Sequence, residues 1–253
     1  MSALPGALRE RLAEVRTVGA ITGAGVSAES GIQTYRGRGG LYDDPDEGDR
    51  VVEALTGTTL LRDPDRTWRA VAGLARQSLH ARPNPGHAAL VEIERRAERF
   101  VLLTQNVDGL HQAAGSREVI DIHGHVRDTV CIACGARGAL SPEALAAVEA
   151  APRCACGGIV RPDVVLFGEM LPVAKVERMR RAFADAPPDL VLVAGTTALF
   201  PYIQGPVLIA RRAGRLTVEV SPEPTVLSEV VDFSLRGTAG AILPLVADAL
   251  PQR

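Results

Sequence analysis

Polar side chains collect directly after two apolar runs of strand length. In "LLTQNVDGLH", Gln105, Asn106 and Asp108 follow one run, and in "IDIHGH", His123 follows the next. Because strand carboxyl ends line the ligand crevice of an open α/β sheet, these side chains are predicted to share one site. An imidazole placed there can remove a proton from a hydroxyl group near neutral pH. His123 and Asn106 are therefore the candidate catalytic residues.

A loop histidine is often only solvated or locally hydrogen-bonded, and that interpretation is preferred for His80 and His87. His123 differs because it directly follows a strand end and precedes Gly124, which permits close approach. A role in proton transfer is accordingly assigned to His123 alone among these three.

The stretch "AITGAGVSAESG" resembles the G-x-G-x-x-G/A turn that binds a dinucleotide, with Gly23, Gly25 and Ala28 at the patterned positions. Backbone N–H groups at a helix start can hold phosphate oxygens. The candidate contacts of this segment are Ala24, Gly25, Ser27, Tyr35 and Arg36. By itself the pattern is equally consistent with a plain tight turn. Hydride transfer is disfavoured, because the acids of "YDDPDEGD" do not follow the strand that a ribose-binding acid requires.

Four cysteines form two close pairs, "CIACG" and "RCACGG", separated by 19 residues. The spacing is typical of a zinc ribbon, in which two turns supply four thiolates to a structural ion. The candidate ligands are Cys131, Cys134, Cys154 and Cys156. Gly135 and Gly157 suit ligand turns, although the second pair is one residue shorter than usual. Four buried thiols without a metal are the alternative.

Composition limits the remaining possibilities. The 253 residues carry a net charge of −2, with 28 basic and 30 acidic side chains, so nucleic acid is not an expected partner. No apolar run reaches the roughly 18 residues of a membrane span, and no signal peptide is evident. We therefore expect a cytoplasmic protein without a membrane partner, in which cysteines bind metal rather than form disulfides. The oligomeric state stays open, with a monomer favoured.

The elements that position these residues alternate between strand and helix. Apolar runs such as "TVGAIT", "FVLLT", "VIDI", "DLVLVAG" and "LTVEV" are separated by amphipathic patterns, which predicts an α/β fold with a parallel sheet covered on both faces. Residues 36–80 and 126–163 interrupt the alternation. The predicted organisation is a large dinucleotide-binding domain from 1–35, 81–125 and 164–253, with a smaller domain made of a helical module (36–80) and a zinc ribbon (126–163).

The chain resembles the sirtuins, the NAD-dependent protein lysine deacylases. "GAGVSAESGIQTYRG", "TQNVDGLH", "HG", the paired cysteines, "RPDVVLFGE", "AGTT" and "GTAG" occur in the family's order and span essentially the whole sequence. The resemblance implies a Rossmann-like domain and a smaller domain containing zinc. It also implies that NAD, consumed as a co-substrate, and an acylated lysine meet between the two domains.

The resemblance also implies residue roles. His123 matches the general base for the ribose hydroxyls, and Gln105 and Asn106 match groups that position ribose and water. Further NAD contacts are implied for the nicotinamide pocket (Val107, Asp108), the closing loop (Ala24, Gly25, Ala28, Tyr35, Arg36), the phosphates and ribose (Gly195, Thr196, Thr197) and the adenosine end (Ser221, Ala239). The segment "VVLFGE" matches the strand on which substrate peptide lies by β-augmentation, with candidate contacts at Val165, Phe167, Gly168 and Glu169.

Family chemistry would transfer the acyl group from lysine to ADP-ribose, giving nicotinamide, O-acetyl-ADP-ribose and free lysine. Val71 and Leu74 stand where desuccinylating relatives have Tyr-x-x-Arg, so acetyl or longer apolar acyl groups are expected and succinyl is not. Gln33, Tyr35, Thr197 and Ser221 replace the usual Pro, Phe, Ser and Asn. Mono-ADP-ribosyl transfer and a non-catalytic NAD-sensing or zinc-ribbon module are the alternatives.

Overall fold

The computed structural model describes residues 3–35, 40 and 44–252, so the predicted contact at Arg36 lies outside the described residues. The strands are β1 (Thr17–Thr22), β2 (Arg99–Thr104), β3 (Val119–Asp121), β4 (Gly124–Cys131), β5 (Arg137–Ala139), β6 (Val160–Val164), β7 (Leu190–Ala194), β8 (Leu216–Ser221) and β9 (Phe233–Arg236). The helices are α1 (Gly6–Leu12), α2 (Pro45–Ala54), α3 (Gly57–Arg62), α4 (Pro64–Ser78), α5 (Pro85–Arg96), α6 (Leu110–Ala114), α7 (Pro142–Ala146), α8 (Val173–Arg180), α9 (Pro201–Arg212) and α10 (Ala239–Ala249). Across the described part of the chain, no helix is both long enough and apolar enough to span a bilayer.

Six strands form the large sheet in the order β3-β2-β1-β7-β8-β9, and every pair is parallel. The inner strands β1, β2, β7 and β8 are buried on both faces, as their continuous apolar runs predict. Val18 and Ala20 face the cluster that contains α1, α5 and α10, whereas Ile21 faces the cluster that contains α9. The predicted parallel sheet is confirmed. Strand β9 was not predicted, because Ser234 and Arg236 interrupt its apolar pattern at the sheet edge.

The two interrupting segments pack together into one smaller unit. Strand β4 pairs antiparallel with β5 and β6, and Leu60 and Trp68 from the helical segment share a buried cluster with Leu145 from the cysteine-bearing segment. The indole Nε1 of Trp68 donates to the carbonyl oxygen of Val160 at 2.8 Å. The helical and zinc-ribbon modules therefore depend on one common core, while the exact domain boundaries stay a prediction.

The sheet topology explains where the polar motifs meet. Central strand β1 lies between β2 and β7, so Gly23, Gln105 and Gly195 leave neighbouring strands at the same edge. The chain proceeds outwards from β1 to β3 on one side and from β7 to β9 on the other, so the strand order reverses between β1 and β7. Such a reversal opens a crevice at the carboxyl edge of the sheet. The smaller unit lies beside this crevice, and residues of both line one cleft.

Candidate active site

A cleft of about 1070 Å³ lies at the carboxyl edge of the large sheet. It brings together most of the predicted site residues, namely Gly23, Ala24, Gly25, Ala28, Tyr35, Gln105, Asn106, Val107, Asp108, His123, Val165, Phe167, Gly168, Glu169, Gly195, Thr196, Thr197 and Ser221. Ser27 and Ala239 do not line it. Ala239 is buried at the start of α10, and the preceding Thr238 reaches the cleft instead.

The glycine-rich turn packs backbone against backbone. The N–H of Gly25 donates to the carbonyl oxygen of Gly195 at 2.8 Å, and a Cβ on Gly25 would lie 2.8 Å from the Gly195 Cα atom. Gly195 itself has φ of +62°, a conformation that favours glycine. The turn consists of two short 3₁₀ helices rather than an α-helix start. The N–H groups of Gly25 and Ser27 donate inside the protein, so phosphate contacts depend on other groups of the turn.

Replacing Gly25 with alanine should destabilise the fold by roughly 1–3 kcal/mol, because the added methyl group meets rigid backbone. Affinity for ADP-ribose should fall with it. Urea unfolding and calorimetric titration measure the two effects. Gly205→Ala is the matched control, since its Cβ meets nothing within 4 Å in helix α9 and should stabilise the protein slightly. Equal stability of both variants would contradict the packing argument.

Asn106, Ser27 and Asp108 form one hydrogen-bonded group, in which Ser27 is buried and the other two line the cleft. The Asn106 Nδ2 atom donates to the Gly23 carbonyl oxygen at 3.1 Å and contacts the Ser27 Oγ atom at 3.2 Å. Ser27 in turn donates to Asp108 Oδ2 at 2.7 Å, and the Leu110 N–H donates to Asp108 Oδ1 at 2.9 Å. Ser27 therefore acts by orienting Asn106 and Asp108, both of which line the cleft.

Gln105 links the ends of three strands. Its side-chain Nε2 atom donates to the Thr196 Oγ1 atom at 2.8 Å, after β7, and to the Thr22 carbonyl oxygen at 3.3 Å, at the end of β1. Its own carbonyl oxygen accepts a hydrogen bond from His123 at 2.8 Å. Gln105 therefore fixes the relative positions of the candidate base and the turn after β7.

His123 is held as a neutral base. A carbonyl oxygen can only accept, so the contact with Gln105 places the proton on Nδ1 and leaves Nε2 as the proton acceptor. Burial lowers the pKa of His123 below its usual value, the Gln105 carbonyl acts in the opposite direction, and the charge of Lys175 lowers the pKa further. The imidazole is consequently unprotonated near neutral pH and can take a proton at Nε2.

Sequence reasoning missed Tyr202, whose hydroxyl lies 2.7 Å from His123 Nε2. Tyr202 stands in the first turn of α9 and lines the same cleft. Its ring stacks on that of Phe200, with the ring centres 5.5 Å apart. One feature of the sequence could have indicated Tyr202. It follows the "AGTT" motif at the end of strand β7, and therefore lies near the same edge of the sheet as the other site residues.

The segment after β6 differs from the expected peptide-binding strand. Strand β6 ends at Val164, and the N–H groups of Val165 and Phe167 already donate to the carbonyl oxygens of His123 and Leu55. Glu169 accepts two hydrogen bonds from Arg161, at 2.7 and 2.8 Å, and so holds the segment as a loop. A peptide strand would have to pair through other backbone groups of this loop.

The wall that the smaller unit contributes is largely apolar. Leu55, Val71, Leu74, Val126 and Val164 face the cleft from helix α4, strands β4 and β6 and the residue after α2. The lining includes no lysine or arginine within the part of the chain that the structure describes. An apolar group is therefore accommodated at this end of the cleft, whereas an anionic group meets no opposite charge from the described residues of the lining.

The four cysteine sulfur atoms converge, as the spacing predicts. All lie within 4.8 Å of one another, with Cys131 and Cys156 at 3.5 Å and Cys134 and Cys154 at 3.7 Å. Tetrahedral Zn–S bonds of about 2.3 Å place sulfur atoms about 3.8 Å apart, so the cluster fits zinc. Each pair turns on a glycine with positive φ, Gly135 or Gly157. Four protein ligands leave no open position, which makes the site structural.

His87, for which the sequence predicts no role in proton transfer, has a structural role at the start of helix α5. It is buried, and its Nδ1 atom accepts from the Asn84 N–H at the start of α5. Its ring packs against His111 with the centres 4.8 Å apart, and His111 contacts the Thr22 hydroxyl at 2.9 Å. Burial lowers the pKa of both histidines, to about 3 for His111, so the pair is neutral.

Comparison with known proteins agrees with this geometry. The model of the Sir2 family matches residues 23–200. The chain is 47% identical to NAD-dependent protein deacylase 2 of Pseudomonas aeruginosa, over 89% of each chain. It is 43% identical to an NAD-dependent protein deacylase of Thermus thermophilus, over 96% of this chain and 94% of the relative.

Solved structures give the same result. A Sir2 homologue in complex with NAD superposes with a TM-score of 0.86 at 37% identity, covering 98% of this chain and 94% of the other. A Sir2 protein bound to a myristoylated histone peptide superposes with a TM-score of 0.77 at 30% identity, covering 96% and 94%. With its parallel sheet, its cysteine cluster and the cleft between them, this chain belongs to the Sir2 family, the sirtuins.

Proposed function

We propose that the protein is an NAD-dependent protein lysine deacylase that acts on acetyl-lysine. Its products would be nicotinamide, deacylated lysine and O-acetyl-ADP-ribose. The observation that carries the proposal is the neutral His123, whose proton-accepting Nε2 lies in the same cleft as the glycine-rich turn. Support also comes from the curated relatives, which are NAD-dependent protein deacylases.

Each part of the cleft has a proposed role in binding NAD or in proton transfer. NAD would bind along the sheet edge, from the turn at Gly23 to Ser221 at the end of β8, and would supply the electrophilic ribose carbon. Asp108 keeps capacity to accept from a carboxamide, because a carboxylate has about four acceptor positions and two are used. Gln105 and Asn106 are the proposed groups that position ribose and water. His123 would take the proton of a ribose hydroxyl at Nε2.

The acylated lysine is proposed to enter from the side of the smaller unit. Val165 and Phe167 would contact its aliphatic part, and the apolar wall described above would enclose the acyl group. The peptide backbone would pair with the loop at Gly168 by the predicted β-augmentation, because the N–H groups of Val165 and Phe167 are already used within the protein. A relative bound to a myristoylated histone peptide supports both a peptide partner and tolerance of an apolar chain.

The test is a reaction with an acetyl-lysine peptide and NAD, followed by mass spectrometry. We expect the peptide to lose its acetyl group only when NAD is present. NAD consumption with an unchanged peptide and an ADP-ribosylated protein would instead identify a mono-ADP-ribosyltransferase.

The apolar wall predicts acyl preference. Acetyl peptides should react at least about tenfold faster than succinyl peptides, since an unpaired carboxylate is costly to bury. The double variant Val71→Tyr/Leu74→Arg should reverse part of this preference by supplying a partner for the carboxylate. Leu74→Met is the matched control, because it keeps the wall apolar. Rates on paired acetyl and succinyl peptides measure the effect. Faster removal of succinyl by the natural protein would contradict this account.

A further inference from the structure

The hydroxyl of Tyr202 occupies the position from which His123 must accept a proton. The Nδ1–H of His123 is committed to the Gln105 carbonyl oxygen, so only Nε2 can act as the base. A neutral imidazole nitrogen has a single in-plane lone pair. With the Tyr202 oxygen 2.7 Å away, the phenol O–H donates to that lone pair. A substrate hydroxyl can therefore reach the base either by displacing Tyr202 or through it.

Packing holds the Tyr202 ring in place. The ring stacks on Phe200 at an interplanar angle of 17° and packs against the buried cluster that contains Ile203 and Val207 of the same helix. The turn before the helix is also fixed. Ala198 is buried with φ of +53°, and its carbonyl oxygen accepts from Gln204 Nε2 at 2.9 Å. A strained backbone conformation such as that of Ala198 persists only where the surrounding contacts hold it. Displacement of the Tyr202 ring would therefore disturb this whole turn.

The tip of the ring still faces the cleft, because Tyr202 and His123 both line it. A phenol oxygen that donates one hydrogen bond can accept another from a second hydroxyl. Tyr202 is thus placed to touch a substrate hydroxyl and the base at the same time.

We propose that Tyr202 is a further catalytic residue, a proton relay between the ribose hydroxyl of the substrate and His123. This proposal rests on the deacylase function proposed above. The ribose O–H bond breaks and its proton passes to the Tyr202 oxygen, while the Tyr202 proton passes to His123 Nε2. The electron pair of the broken bond stays on the ribose oxygen. Tyr202 ends neutral, and His123 carries the positive charge with its Nδ1–H still donated to Gln105.

The protonation properties of the two groups agree with this order of events. Burial raises the pKa of Tyr202 to about 12, so a free phenolate is disfavoured and the two transfers occur together. Burial lowers the pKa of His123, which leaves Nε2 unprotonated before the reaction. The charge that acts on the imidazole is that of Lys175, and it is paired with Asp121 Oδ1 at 2.9 Å.

Tyr202→Phe tests the relay, since it removes the hydroxyl and keeps the ring that packs on Phe200. Four quantities are measured for the natural protein and the variant: the ¹⁵N NMR signal of His123 Nε2 without ligand, the affinity for ADP-ribose by calorimetry, the rate of nicotinamide exchange and the rate of acyl-product formation. In the proposed reaction, the nicotinamide–ribose bond breaks before His123 takes the ribose proton. A lesion in the relay is therefore expected to lower the rate of acyl-product formation and to leave the rate of nicotinamide exchange unchanged.

We expect the Nε2 signal to shift towards that of a nitrogen without a hydrogen-bond donor, ADP-ribose affinity to change less than about threefold, and nicotinamide exchange to persist. Formation of the acyl product should fall by about 10- to 100-fold, at or below the lower end of general acid–base effects, because the base His123 itself is retained. An unchanged or faster product rate with tighter ADP-ribose binding would show that the hydroxyl only competes for the base, and would overturn the relay. Equal loss of both rates would overturn it too. Absence of turnover in the natural protein would instead overturn the proposed function.

Discussion

His123→Ala is expected to lower deacetylation by roughly 1000-fold, because the variant lacks the group that accepts the ribose proton. Folding should change little, since the imidazole is half-buried at the rim of the sheet rather than in any of the three core clusters. Steady-state rates with an acetyl-lysine peptide and NAD measure the effect, and thermal unfolding checks the fold. His80→Ala is the matched control, because His80 is exposed and outside the cleft.

The pH dependence of the natural protein gives a second check on His123. The base acts when it is neutral, so activity should be constant above its pKa and decline below it. Because burial lowers that pKa, the decline should be centred below the usual histidine value of about 6.5. A decline centred above about pH 7, or an active His123→Ala variant, would show that another group is the base.

Removal of zinc is expected to unfold the smaller unit and abolish activity. Structural zinc sites contribute on the order of 10 kcal/mol to folding, and here the ribbon shares its core with the helices that form the apolar wall. Trp68 is the only tryptophan of the chain and lies in that core, so its fluorescence reports on this unit directly. A strong chelator should shift its emission to longer wavelength and stop turnover.

Adding zinc back should restore both signals, whereas magnesium, which prefers oxygen ligands, should not. Cys131→Ser should behave like the chelated protein, because it removes the buried member of the four ligands. A metal-free protein with four titratable thiols, unchanged Trp68 emission and full activity would contradict a structural zinc site.

Local sequence patterns were sufficient to predict part of the fold and the cysteine site. Continuous apolar runs predicted five strands of the large sheet, and the cysteine spacing predicted a cluster that the structure brings together. Strand β9 was missed because Ser234 and Arg236 are polar, and pairing with β8 at the sheet edge decides its conformation. Edge pairing is a tertiary property that a local pattern does not encode.

Features that depend on long-range contacts could not be predicted in the same way. Tyr202 meets His123 across 79 positions of sequence, after a turn at Ala198 that has positive φ. The resemblance implies a peptide-binding strand at Val165 and Phe167, yet hydrogen bonds to distant carbonyl groups and the Arg161–Glu169 ion pair hold the segment after Val164 as a loop. Such residues become functional candidates only when the fold is known.

The stoichiometry of a single reaction tests most directly whether the protein is an NAD-dependent deacetylase. The natural protein is incubated with NAD and an acetyl-lysine peptide, and nicotinamide, deacetylated peptide and O-acetyl-ADP-ribose are counted by mass spectrometry. We expect equal amounts of the three products, with little nicotinamide released when the peptide is omitted. Nicotinamide released without O-acetyl-ADP-ribose, with the peptide still acetylated, would contradict this expectation.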